Sequence, residues 1–171
     1  MNKEKETEDK INLALKFFNS GKFEDARIIL EDLIENDSKD FIAFNLLGLI
    51  QKNYRNLDKA ENLIGKAIKI APDFVEALIN LGIVLNEKGK TEEAIINFQK
   101  ALKIRKDIPE LYINLGATLM DIDDIEGAIN YFKKAININS DIAQAQTGLE
   151  MALLKKYRLK GKFTSFLIEK K

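Results

Sequence analysis

VEALINLGIVLNEKGKTEEAIINFQKALKIRK, residues 75–106, decides the fold of this chain. Its first half sets Leu78, Leu81, Gly82 and Leu85 at spacings of three and four, which is one face of a helix turning every 3.6 residues. Lys88, Gly89 and Lys90 interrupt that run. A second run opens at Thr91, the expected N-cap, with Glu92 and Glu93 in the first turn. Ala94, Phe98, Ala101 and Leu102 then share a face, and Lys100, Lys103 and Arg105 stand near the end, where the helix dipole favours cations. The stretch reads as two amphipathic helices joined by a tight turn.

Working outward, the same columns return every 34 residues. Ala14, Gly48, Gly82 and Gly116 form one, and Ala26, Ala60, Ala94 and Ala128 another. Leu30, Ile64, Phe98 and Phe132 keep the same step, as do Leu33, Ala67, Ala101 and Ala135. The small residues let helix backbones approach closely, and the large ones fill the gaps between pairs. A single pair cannot bury its apolar faces alone, so stacked pairs share a core and stabilise one another through neighbour contacts. Asp73, Asp107 and Asp141 fall where N-caps are expected, Gly21 and Gly89 suit turns within pairs, and Pro72 suits a break between pairs.

These columns resemble the tetratricopeptide repeat. Residues 75–106 carry Leu78, Leu81-Gly82, Leu85, Ala94, Phe98 and Ala101, and residues 109–140 carry Tyr112, Leu115-Gly116, Leu119, Ala128, Phe132 and Ala135. Residues 41–72 carry Phe44, Leu47-Gly48, Ala60, Ala67 and Pro72. The first unit keeps Leu13-Ala14, Phe17, Ala26 and Leu33 but has Lys10 where a bulky residue belongs. The resemblance implies an all-α, right-handed α-solenoid of about four helix pairs plus a C-terminal capping helix. The expected organisation is a disordered tail over 1–6, repeat units over 7–40, 41–74, 75–108 and 109–142, a capping helix over 143–160, and a short basic and apolar tail over 161–171. In the fifth, partial unit Glu150 replaces the small residue, and Gly161 is expected to stop the helix.

The family's first helices line a concave groove, which places Asn12, Asn45, Leu46, Leu49, Glu76, Ile79, Asn80, Ile83, Glu110, Ile113, Asn114 and Ala117 there, with Ile11, Leu15 and Ile42 beside them. Asn12, Asn80 and Asn114 share one column, and a carboxamide both donates and accepts, so the row can clamp a peptide backbone. The column is similar to the asparagine ladder in the repeat arms of O-GlcNAc transferases. Leu46 interrupts it, with Asn45 adjacent, and a row of asparagines can equally satisfy local polar groups. Chaperone-binding relatives hold acidic C-termini with a cationic clamp. Glu76 and Glu110 stand in that place here, so the expected partner is a protein or peptide, neutral to mildly basic, with apolar anchors.

Composition narrows the chemistry. The 171 residues carry equal numbers of Lys+Arg and Asp+Glu, no His and no Cys. The balanced charge points to neither nucleic acid nor a membrane surface as partner. Without His or Cys there is no imidazole base, thiolate nucleophile or disulfide, and the reading is of a non-enzymatic chain with no cofactor. No stretch resembles a signal peptide or a membrane span, so the expected location is the cytoplasm. The acidic run Asp121, Asp123, Asp124 and Glu126 fails the calcium-loop pattern, because Glu126 holds the glycine position and Phe132 the position of the final glutamate. It is expected as a turn and helix start. Lys155, Lys156, Arg158, Lys160, Lys162, Lys170 and Lys171 make the C-terminal end basic, which reads as a solvated helix end or as support for weak head-to-tail homo-oligomers.

The expected function is a scaffold or adaptor holding an extended segment of another protein. Two alternatives stay open: a detached arm recruiting substrates to a separate glycosyl- or sulfo-transferase, and an assembly subunit of a larger complex.

Overall fold

The computed structural model describes residues 3–36 and 39–159, all of it helix and turn. The 161–171 tail lies outside the described residues. The helices are α1 (Lys3–Asn19), α2 (Phe23–Glu35), α3 (Phe41–Asn53), α4 (Leu57–Ile70), α5 (Val75–Glu87), α6 (Thr91–Ile104), α7 (Pro109–Asp121), α8 (Ile125–Ile138) and α9 (Ala143–Leu159). From α3 onward, first helices begin at Phe41, Val75, Pro109 and Ala143, and second helices begin at Phe23, Leu57, Thr91 and Ile125. Both series keep the 34-residue step of the sequence.

Two expectations about helix starts need correction. α1 begins at Lys3, inside the stretch expected as a disordered tail. Glu4 and Glu6 in the first turn complement the dipole, and Glu6 meets Lys10 one turn on at 3.5 Å. Asp73 and Asp107 are not the caps of α5 and α7. The cap positions fall one residue later, on Phe74 and Ile108, with no side-chain cap bond. Phe74 is instead held by packing, edge-on to Phe41 at 4.9 Å. Thr91 likewise is the first helical residue of α6. The carboxylates that do cap are Asp40, accepting from the Ile42 and Ala43 N–H groups at 2.8 and 3.0 Å, and Asp124, accepting from Gly127 N–H at 3.0 Å.

The turns within pairs share one device. Gly21, Arg55, Gly89 and Asp123 all have positive φ, between 61° and 77°, and stand 34 residues apart. A left-handed residue reverses the chain after each first helix, and only two of the four positions use glycine for it.

The chain divides into two compact units, Met1–Lys90 and Thr91–Lys171. In the first, α1, α2 and α3 share a core of Ile11, Ala14, Ala26, Leu30, Leu47 and Ile50. Ala60, Ile64 and Ala67 of α4 pack with Ala77 and Val84 of α5. Gly48 permits the α3–α4 approach, since a Cβ there would stand 2.5 Å from Ile64 Cγ1. In the second unit, α7, α8 and α9 close around Leu119, Ile125, Ala128, Ile129, Phe132 and Ala152, with Ile95 of α6 packed against them.

Candidate cleft between α7 and α9

The second unit presents a cleft of about 490 Å³, lined by Ile113, Ala117, Met120 and Asp121 of α7, Phe132 of α8, and Ala143, Gln144, Thr147, Gly148 and Met151 of α9. Beside it, α9 carries small side chains that pack it closely onto α8. Ala145 and Ala152 are fully buried. Between them Gly148 lies against the Phe132 ring, where a Cβ would be 2.5 Å from Cε1. Gly116 approaches the same ring, and a Cβ there would be 2.8 Å from it. Phe132 is thus held between two glycines and forms part of the cleft wall. Met120 and Met151 stand on opposite walls, and Met151 is 59% exposed. A thioether is soft and unbranched, which suits a site adapting to an aromatic or branched aliphatic guest.

The polar groups around the cleft have structural tasks. Lys155 of α9 pairs with Asp123 at 2.5 Å, and Lys156 pairs with Glu126 at 2.7 Å. These contacts fasten the basic half of α9 to the acidic α7–α8 turn. They replace the expectation of a purely solvated helix end and give Asp123 and Glu126 a structural role, while Asp124 caps α8.

In the first unit the expected groove residues separate. Asn45 and Leu46 are buried, at 4% and 5% exposure, so neither lines an open surface. Leu46 and Ile11 belong to the α1–α3 core, and Leu15 and Ile42 pack against it. The reason is the helical period: these positions face a neighbouring helix. Asn80 Nδ2 donates to Asn45 Oδ1 at 3.0 Å, joining α5 to α3. Asn12 and Glu76 are exposed, while Leu49, Ile79 and Ile83 are half-buried. In the second unit Glu110 and Ala117 are exposed and Ile113 and Asn114 half-buried. Of the twelve expected residues only Ile113 and Ala117 line the cleft.

Tetratricopeptide repeat models match residues 42–74, 63–96 and 109–142, and a TPR repeat model matches 84–123. Together they run without a gap from Ile42 to Ile142. The chain is a tetratricopeptide repeat protein. No curated protein sequence matches it. Among solved structures, a MamA protein matches with a TM-score of 0.77 at 19% identity, covering 93% of this chain and 85% of that one. MamA from Desulfovibrio magneticus RS-1 gives a TM-score of 0.78 at 16% identity, covering 95% and 93%. YrrB, described as a TPR protein with an unusual peptide-binding site, gives 0.72 at 19%, covering 91% and 78%. At these identities the likeness is one of fold. The finer similarity to O-GlcNAc transferase arms rests on the asparagine column alone, and Asn80, one of its members, is engaged inside the protein.

In this tetratricopeptide protein the expected groove ends at Ala117, and the small-residue column fails at Glu150. The groove positions themselves continue past it. Asn12, Leu46, Asn80, Asn114 and Gly148 are successive members of one 34-residue series. Thr147 continues that of Ile79 and Ile113, and Met151 that of Ile83 and Ala117. Extending those columns through α9 locates the cleft.

Proposed function

We propose that this chain is a non-catalytic scaffold that holds a segment of another protein on its first-helix faces, with the α7–α9 cleft receiving an apolar anchor. Tetratricopeptide proteins mediate protein–protein contacts, and one fold relative is described as having a peptide-binding site. The observation that carries the reading is the cleft itself: open, apolar and floored by an aromatic ring. Its dimensions suit one aromatic or branched side chain with the flanking backbone. Glu110 and Asp121 on α7 add negative potential, so a neutral or mildly basic segment is favoured over an acidic one.

Selection of random displayed peptides on the immobilised chain tests this. Enriched peptides should carry an aromatic or branched aliphatic anchor and no net negative charge. They should lose binding to Ala117→Phe, which fills the cleft from an exposed position and leaves the helical content unchanged. Enrichment of acidic peptides, or binding indifferent to Ala117→Phe, would move the interaction elsewhere.

A further inference from the structure

The walls of the α7–α9 cleft restrict the backbone of a guest as well as its side chains. Both walls are helices, so their own N–H and C=O groups are engaged within them. The described residues, all helix and turn, offer no strand edge to which an extended segment could add. Of the described residues lining the cleft, Asp121, Gln144 and Thr147 have side chains that hydrogen-bond, and an ionised Asp121 only accepts. The 34-residue columns set Gln144 level with Glu110, Thr147 with Ile113 and Met151 with Ala117. Gln144 and Asp121 therefore stand towards opposite ends. Between them the surface is Ile113, Ala117, Met120, Phe132, Gly148 and Met151, with Thr147 beside them. The asparagine series, which could clamp an extended backbone, continues on α9 as Gly148.

An extended guest would press backbone N–H and C=O groups against this surface, and each one buried without a partner weakens binding. A helical guest pairs its own. The length of the cleft agrees. Asp121 stands eight positions after Ile113, about 12 Å along a helix rising 1.5 Å per residue. Side chains at i, i+3 or i+4, and i+7 of a guest helix share one face and span about 10 Å. An extended chain covers that length in about three residues and turns only alternate side chains to the wall. Charge marks the ends: Glu110 is near the start of α7 and Asp121 is its last residue, both exposed.

We propose that the guest of this cleft is an amphipathic helix of about three turns, with a central anchor against Phe132 and Gly148, an apolar residue one turn to either side, and Lys or Arg towards its ends beside Glu110 and Asp121. The proposal rests on the reading of the cleft as a peptide-anchor site and replaces the expected extended segment with a helical one.

The probe is the tightest peptide selected by display on the full chain, synthesised with carbon-13 at the Cα atoms of its central residues. On titration with the full chain these resonances should all move downfield, the direction of helix formation. Proline placed at a central position facing away from the anchors should weaken binding about a hundredfold, the cost of proline inside a helix. Upfield Cα shifts, or a proline variant that binds as tightly as its parent, would overturn the proposal. If either occurs while the parent peptide still loses binding to Ala117→Phe, the helical guest is excluded and the cleft reading stands. If the parent peptide ignores Ala117→Phe, the cleft reading has failed and the proposal fails with it.

Discussion

Two helical glycines, Gly65 and Gly116, should respond oppositely to the same methyl group. Gly65 lies inside α4 with nothing within 4 Å of where its Cβ would be. Gly65→Ala should therefore stabilise by about 1 kcal/mol, the helix-propensity difference between the residues. Gly116 would gain the same amount, but its Cβ would sit 2.8–2.9 Å from three atoms of the Phe132 ring. The ring cannot retreat, because Gly148 presses it from the α9 side. Overpacking of this kind costs about 1–3 kcal/mol, so Gly116→Ala should end between neutral and about 2 kcal/mol destabilised. Urea titration followed by helical circular dichroism measures both. Repeat arrays can unfold in parts, so hydrogen exchange in α7 and α8 should be read alongside the midpoints. Phe132→Leu should remove the penalty in a double-mutant cycle. If Gly116→Ala raises the urea midpoint as far as Gly65→Ala does, the proposed wedging of Phe132 is wrong.

Other substitutions probe separate parts of the account. Asn80→Ala leaves the buried Asn45 oxygen without its 3.0 Å donor and should destabilise by about 1–3 kcal/mol, whereas Asn12→Ala, on an exposed position, should change the urea midpoint little. Asp40→Ala removes the acceptor for two N–H groups at the start of α3 and should cost about 1 kcal/mol, with faster amide exchange at Ile42 and Ala43. Glu61 of α4 is held below the ordinary glutamate value of 4.5 by hydrogen bonds from Lys88 and then Lys90. Its folded form thus binds a proton less readily than its unfolded form. The stabilisation is complete above pH 4.5 and is lost as the pH falls through the depressed folded value. Glu61→Gln should cost no more than about 1 kcal/mol at neutral pH, and the gap in thermal midpoint from the parent chain should close on acidification.

The fold was legible because it repeats. One helix pair is weak grounds for a class, but small and large residues returning at a fixed step are readable without coordinates, and helix starts at Phe41, Val75, Pro109 and Ala143 keep that step. The caps were less legible. Asp73 and Asp107 have the right chemistry one residue too early, and Phe74 is held by an aromatic contact that no local pattern announces. The site was legible only in part. The sequence identifies the face of a helix, but the burial of Asn45 and Leu46 depends on packing with neighbouring elements. The cleft was not legible because the repeat pattern fades at Glu150, and the groove positions were not followed into α9. In α9 Gly148 takes the place of the asparagine series, and its lack of a Cβ lets the Phe132 ring approach as part of the cleft wall.

The most direct test uses the three methionines, Met1, Met120 and Met151. Methyl-labelled methionine gives one signal from the N-terminus and two from opposite walls of the cleft. On titration with the tightest selected peptide, the Met120 and Met151 methyls should shift together along one saturable curve while Met1 stays fixed. A peptide that binds while both cleft methyls remain unmoved would contradict the account.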